Sequence, residues 1–200
     1  MMKKILVIDN IVNELEQLHI KKHLFEDTKW TFIEDVSLKD NLHQRRPGLK
    51  QYLNVNKLDS SIYNIVLNVR KKLKMKPLYA KDDILEARSF LQLPLNKDYI
   101  GDGVDTPHLD RTEPHLVFLY YVNDSDGDTI IYNYKSKSPT DIPFFEDVKE
   151  QKRVKPKQGR VVIFDGLYWH TAEQPTKDIR CIINFNISNN GTWQYDENNV

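Results

Sequence analysis

The chain of 200 residues carries 29 Lys+Arg against 29 Asp+Glu, so its formal net charge is zero. That length fits one domain with a real core, and the charge balance argues against duplex nucleic acid, whose phosphates demand clustered excess cations. Cys181 is the only cysteine, which excludes an internal disulfide and fits a reducing compartment.

Residues 4–9 read as a short strand. Their apolar run is too short for a signal peptide or a membrane span, so no membrane and a cytoplasmic location are expected. Asp9 or Asn10 is expected to cap a helix in which Ile11, Val12, Leu15 and Leu18 recur at three and four. His19 and His23 lie four apart on it, lack a carboxylate at matched spacing and read as a solvated face. Residues 26–57 are polar and irregular, with a turn at Pro47-Gly48. Asp59 or Ser60 opens a second helix, whose apolar stripe is Ile62, Ile65, Val66, Val69 and Leu73. Lys71, Lys72, Lys74 and Lys76 suit the negative end of its dipole, and Pro77 ends it.

From Leu85 the period changes to two. Strands are expected over 85–93, 116–122, 129–134, 160–164, from Tyr168 onward, and over 180–187. Between them lie a loop at 94–107 with Gly101 and Gly103, a hairpin turn at 123–128, and a polar connection at 135–158 carrying Phe144-Phe145. The turn at 123–128 looks faintly like a calcium loop but has Thr129 where that loop needs glycine and Lys135 where it needs glutamate. Asn190-Gly191-Thr192 fits a glycosylation pattern and reads as a polar tail. Helices followed by many short strands predict a mainly β jelly roll buttressed by N-terminal helices. It forms a single domain, helical over about 1–80 with its core over about 81–190.

The chemistry gathers at His108-Leu109-Asp110. Residues two apart on a strand face the same way, so His108 and Asp110 can reach one metal ion while Leu109 turns into the apolar layer. His170, from a neighbouring strand, would complete a set of two imidazoles and one carboxylate. That set leaves three positions of an octahedral iron open, the arrangement of non-haem Fe(II) oxygenases. Arg180, ten positions after His170, has a forked cation suited to a carboxylate, and Ile182, Asn184 and Asn186 share its face. Blander readings stand beside these. A lone His-x-Asp is commonly a surface pair, and Arg180 could pair with Asp178 or Glu173. His115 follows the strand-breaking Pro114 and reads as structural or substrate-facing, and Tyr168 and Trp169 as packing.

At these residues the chain resembles the Fe(II)- and 2-oxoglutarate-dependent oxygenases, in their prolyl-4-hydroxylase-like branch. The likeness runs from about residue 85 to 187. It rests on His108-x-Asp110, Tyr120-Tyr121-Val122-Asn123, Asp126-Gly127-Asp128-Thr129, Gly159, His170 and Arg180. The opening Ile8-Asp9-Asn10 before a helix is similar to small members from bacteria and their phages, which would place the protein in a host cytoplasm if phage-encoded. The resemblance implies a double-stranded β-helix with His108, Asp110 and His170 as iron ligands. It also implies Arg180 and Tyr121 on the C5 carboxylate of 2-oxoglutarate, with Gln92 a candidate for the co-substrate's other end. The turn before Thr129 has a single glycine where many relatives have two. The implied cofactors are Fe(II), 2-oxoglutarate and O2, with ascorbate as accessory reductant. The implied reaction decarboxylates 2-oxoglutarate to succinate and CO2 and hydroxylates a C–H bond. The leading expectation is a peptidyl residue such as proline. The alternatives are a small molecule or nucleobase, or a non-catalytic jelly-roll binding module.

Overall fold

The computed structural model describes residues 4–36, 45–75, 81–100 (backbone alone at 99–100), 103–138, 141 and 148–189. Ten strands are described, with two helices of more than two turns. The larger sheet takes β1 (Leu6–Ile8), β8 (Val161–Asp165), β5 (His115–Tyr121), β10 (Arg180–Ser188), β4 (Ile84–Gln92), β3 (Gly48–Tyr52) and β2 (Thr31–Ile33) in that spatial order. The smaller sheet runs β7 (Glu150–Val154), β6 (Thr129–Lys135), β9 (Tyr168–Ala172). Antiparallel bridges from Val104 to Glu173 and from His108 to His170 lay the His-x-Asp segment along the free edge of β9. Two sheets face each other in the expected double-stranded β-helix.

Alternation along the central strands sorts their side chains into two cores. Leu116, Phe118 and Tyr120 of β5 join Cys181, Ile183 and Phe185 of β10 in the layer under the helices. Val117, Leu119 and Tyr121 face the other way and meet Val162, Phe164 and Ile182 between the sheets. Both faces of β5 are therefore buried, which is why it reads as an unbroken apolar run. Helix α2 (Ser60–Lys72) docks its stripe Ile62, Ile65, Val66 and Val69 on the outer face, with Asp59 as cap accepting from Ser61 and Ile62 N–H.

Helix α1 (Glu14–Lys22) departs from expectation. Asn10 has φ 52, a left-handed conformation that no helix can propagate from. The cap is instead Asn13, which forms a reciprocal capping box with Glu16. Ile11 and Val12 are buried ahead of the helix, while Leu15 and Leu18 are 80% and 57% exposed; Gln17, Ile20 and Leu24 are the buried face. His19 does find a carboxylate, in Asp59 of the next helix at 3.2 Å.

Four further expectations change. Residues 26–57 hold β2 and β3, which extend the large sheet because β4 offers β3 a free edge and β3 in turn offers one to β2. The turn at 123–128 joins no hairpin. Both edges of β5 are already taken by β8 and β10, so the chain crosses to the small sheet to make β6. Asp126 anchors that crossing by accepting from the Thr176 hydroxyl and from the N–H groups of Thr176, Lys177 and Asp178. Burial would raise its carboxyl, but these bonds prevail and hold it at about 2. The connection 135–158 contains β7. The His-x-Asp segment makes single bridges rather than a strand. Lys76, Pro77, Gly101, Phe144-Phe145 and Asn190-Gly191-Thr192 lie outside the described residues.

Gly159 has φ +79, and a Cβ there would stand 2.5 Å from the Gln17 side chain. Gln17 in turn donates to Val12 C=O at 3.0 Å, pinning the turn before α1. Gly159→Ala therefore combines left-handed strain with displacement of that amide, and should cost about 1–3 kcal/mol. Thermal unfolding should shift down by roughly 2–12 °C for a chain of this size. An unchanged midpoint would contradict this account of the turn.

Candidate active site

His108, on the bridged edge segment, and His170, in the middle of β9, face each other across that bridge with ring centroids 4.8 Å apart. Each ring's Nδ1 lies 3.1 Å from a carbonyl two residues back, Thr106 for His108 and Tyr168 for His170. A carbonyl only accepts, so both Nδ1 atoms carry a proton, which leaves each Nε2 as the ring atom able to ligate a metal. Asp110 lies between them, with Oδ1 3.8 Å from His108 Nε2 and Oδ2 3.7 Å from His170 Nε2. The three donor atoms fall within 4.8 Å of one another. Two imidazoles and one carboxylate on a common centre fit a divalent transition metal, whose adjacent ligand atoms stand about 3 Å apart.

Asp110 is held on both oxygens. Arg88 of β4 donates Nη2 to Oδ1, and Asn184 of β10 donates Nδ2 to Oδ2 at 2.8 Å. Burial alone would raise this carboxyl. His170, Arg88 and His108 outweigh burial and hold it well below the usual carboxylate range. Burial, reinforced by His170 and opposed by Asp110, lowers His108 to about 4. At neutral pH the site is a carboxylate beside a neutral imidazole, the protonation states a metal needs.

A cavity of about 330 Å³ reaches from this triad to Arg180. Arg180 is 3% exposed and makes three hydrogen bonds: Nε to Gly127 C=O at 2.8 Å, Nη1 to Gln92 Oε1 at 3.0 Å, and Nη2 to Thr129 Oγ1 at 2.8 Å. It pairs with neither Asp178 nor Glu173 at the surface; Glu173 goes to Arg153. Gln92 is its cross-strand partner in register, and both line the cavity. Gln92 thus sits at the Arg180 end rather than at the metal end. Tyr121 does not line the cavity. Its hydroxyl, pushed up to about 12 by burial, donates to Thr129 Oγ1 at 2.8 Å. With both Thr129 lone pairs occupied by Arg180 and Tyr121, its own O–H is left to donate.

His115 is fully buried, with Nδ1 2.8 Å from Glu113 C=O and its ring packed where a Cβ on Gly166 would stand. Its place is structural. Arg88 and Asn184 carry no signal in the sequence beyond alternation, since strand pairing brings them to the cavity. Asp105 carries none, since it reaches the cavity from a loop held to Ala172, and Thr129 stands out in the sequence only as the end of a motif.

Residues 97–188 match the model of the 2OG-Fe(II) oxygenase superfamily. The chain carries a 2OG-Fe(II) oxygenase domain. The protein is an enzyme, a 2-oxoglutarate-dependent oxygenase, and the cofactors of its superfamily are Fe(II), 2-oxoglutarate and O2. The reading as a non-catalytic module falls. No curated protein matches the chain. Among solved structures, the oxygenase is similar to the non-heme alpha-ketoglutarate-dependent epimerase SnoN from nogalamycin biosynthesis, with TM-score 0.63 and 12% identity over 96% of this chain and 80% of that one. It is similar to the viral collagen prolyl hydroxylase of Paramecium Bursaria Chlorella virus-1, with TM-score 0.54 and 15% identity over 92% and 96%. A third is HygX from Streptomyces hygroscopicus, solved with nickel, 2-oxoglutarate and hygromycin B, with TM-score 0.58 and 13% identity over 91% and 81%. At these identities the likeness is one of fold. Among the described residues no helix is long and apolar enough to cross a membrane.

Proposed function

We propose that the cavity binds Fe(II) through His108, Asp110 and His170, and 2-oxoglutarate with its C5 carboxylate on Arg180. The observation that carries this is one cavity with a His-Asp-His cluster at one end and a buried, unneutralised guanidinium at the other. Bound Fe(II), 2-oxoglutarate and O2 supply oxidative decarboxylation to succinate and CO2 coupled to attack on a substrate C–H bond. The chain's own residues orient and desolvate the reactants. Arg180 meets two carboxylate oxygens with its fork, and Thr129 O–H adds a neutral donor. Arg88 and Asn184 keep Asp110 turned toward the imidazoles. Tyr121 acts through Thr129, and Gln92 through Arg180.

The substrate we favour is a peptidyl residue such as proline, in keeping with the sequence motifs and a prolyl hydroxylase among the fold neighbours. Two fold neighbours, SnoN from nogalamycin biosynthesis and HygX with hygromycin B bound, support a second reading, a small-molecule substrate. Succinate release without substrate tests the catalytic reading. A gain of about sixteen daltons on proline peptides, against cell-extract metabolites, separates the two substrate classes. No succinate from the iron-loaded protein would overturn the reading.

Tyr121→Phe removes one neutral hydrogen bond at Thr129 and nothing in the cavity wall. It should weaken 2-oxoglutarate binding by only about 0.5–1.5 kcal/mol, roughly two- to twelve-fold. A loss as large as that of Arg180→Ala would mean that Tyr121 contacts the co-substrate itself.

A further inference from the structure

A buried chain of polar contacts continues from Arg180 along the cavity wall through Gln92 and Asp105 and ends behind it at Arg46. Gln92 accepts from Arg180 through Oε1 at 3.0 Å and donates through Nε2 to Asp105 Oδ2 at 3.0 Å. Asp105 Oδ1 then accepts from Arg46 Nη1 at 2.5 Å. Arg46, Asp105, Gln92 and Arg180 are 1%, 5%, 3% and 3% exposed. The run holds two cations, one anion and one neutral spacer. Every contact is donor to acceptor, so the Gln92 amide has one allowed orientation, because a flip would set its NH2 against a guanidinium. Arg46 is not part of the cavity wall, whereas Asp105, Gln92 and Arg180 are.

Arg46 stands just ahead of β3, and its backbone fastens the preceding segment: its N–H donates to Asp35 Oδ1 at 3.0 Å, and its C=O accepts from Val36 N–H at 2.8 Å. Asp35 and Val36 also line the cavity. A buried ion pair therefore adds to the pairing of β3 with β4 in joining the N-terminal strands to the Arg180 end of the cavity.

We propose that Arg46 is a positioning residue for co-substrate binding: it neutralises Asp105 and so leaves the Arg180 charge to a carboxylate of 2-oxoglutarate. This rests on the reading of Arg180 given above. A buried carboxylate stripped of its partner leans on any other cation within reach. For Asp105 that cation is Arg180, one amide away and acting on it electrostatically. Without Arg46 the pair would cancel, and the dianionic co-substrate would meet a neutral site. With Arg46 present the run carries one net positive charge.

The test titrates 2-oxoglutarate into anaerobic Fe(II)-loaded protein for Arg46→Met, Asp105→Asn and the double variant. Arg46→Met should weaken binding roughly ten- to a hundred-fold, the size of one unit charge acting across several ångströms of protein. Asp105→Asn should bind as well as the wild type or a few-fold tighter, because it removes the competing anion; a merely structural Asp105 would weaken binding instead. The double variant should return to within about three-fold of the wild type. Wild-type affinity in Arg46→Met, or a double variant as weak as Arg46→Met, overturns the proposal. Should Arg46→Met fail to fold, the other two variants decide: a loss of ten-fold or more in Asp105→Asn or in the double overturns it. Arg180→Ala run in parallel separates the two levels. If it keeps wild-type affinity, the reading of Arg180 fails. If it loses affinity while Arg46→Met does not, only the role of Arg46 fails.

Discussion

Asp110→Ala should abolish succinate formation and weaken Fe(II) binding by well over a hundred-fold, since loss of even an outer hydrogen-bond partner of a ligand costs about 10–100-fold. Asp110 is the only carboxylate in the cluster, and its charge is what two neutral imidazoles lack. The chain should still fold, because Asp110 belongs to neither hydrophobic core. A modest stability loss of about 1–3 kcal/mol is expected, since Arg88 and Asn184 lose their acceptor. His170→Ala should behave likewise. His115→Ala is the control: it leaves a hole above Gly166 and lowers the unfolding temperature, yet retains metal. Calorimetric titration with Fe(II) under anaerobic conditions, with circular dichroism for folding, reads all three. Metal lost in His115→Ala and kept in His170→Ala would refute the triad.

Arg180→Ala should weaken 2-oxoglutarate by roughly thirty-fold to a few thousand-fold, the range that follows from about 2–5 kcal/mol for truncating one partner of a buried charge pair at about 1.4 kcal/mol per decade. Burial lowers the guanidinium pKa, with Tyr121 and Asp105 opposing, yet arginine stays charged in proteins. Its three protein partners include no carboxylate. A cation so placed is costly unless an anion meets it, and the cavity is where that anion can come from. Arg180→Lys should recover little, because a point charge cannot span both oxygens. Fe(II) affinity should stay within a few-fold, as Arg180 is no ligand. Absorbance of the anaerobic Fe(II)–2-oxoglutarate complex follows the titration, and wild-type affinity in Arg180→Ala would sink the assignment.

Much of the site can be read from the chain because its chemistry is local or periodic. Two residues apart on extended backbone put His108 and Asp110 on one face without knowledge of the partner strand. The alternation Arg180, Ile182, Asn184, Asn186 likewise aims Arg180 inward, and all but Ile182 are buried polar side chains in the fold. The cap Asp59 and the stripe of α2 are equally plain. What fails is what depends on a partner. Residues 48–52 are a strand because β4 has an edge to fill, and 31–33 because β3 then has one; runs this short, set among polar residues, do not announce it.

From its sequence alone this protein has two helices ahead of a β-rich half, an inward-facing His-x-Asp, and a distant His and Arg in the order of one enzyme family. Such features survive because side-chain alternation, capping and turn preference act over a few residues. Tertiary structure alone decided which strands share a sheet, and with them the pairing of Arg180 with Gln92 across β10 and β4. It alone set Arg88 and Asn184 on the two oxygens of Asp110. It alone carried Arg46 through the interior to Asp105, 59 residues on. Those contacts join residues far apart in the chain, where no local periodicity can register them, and the cavity's charge balance is set by them.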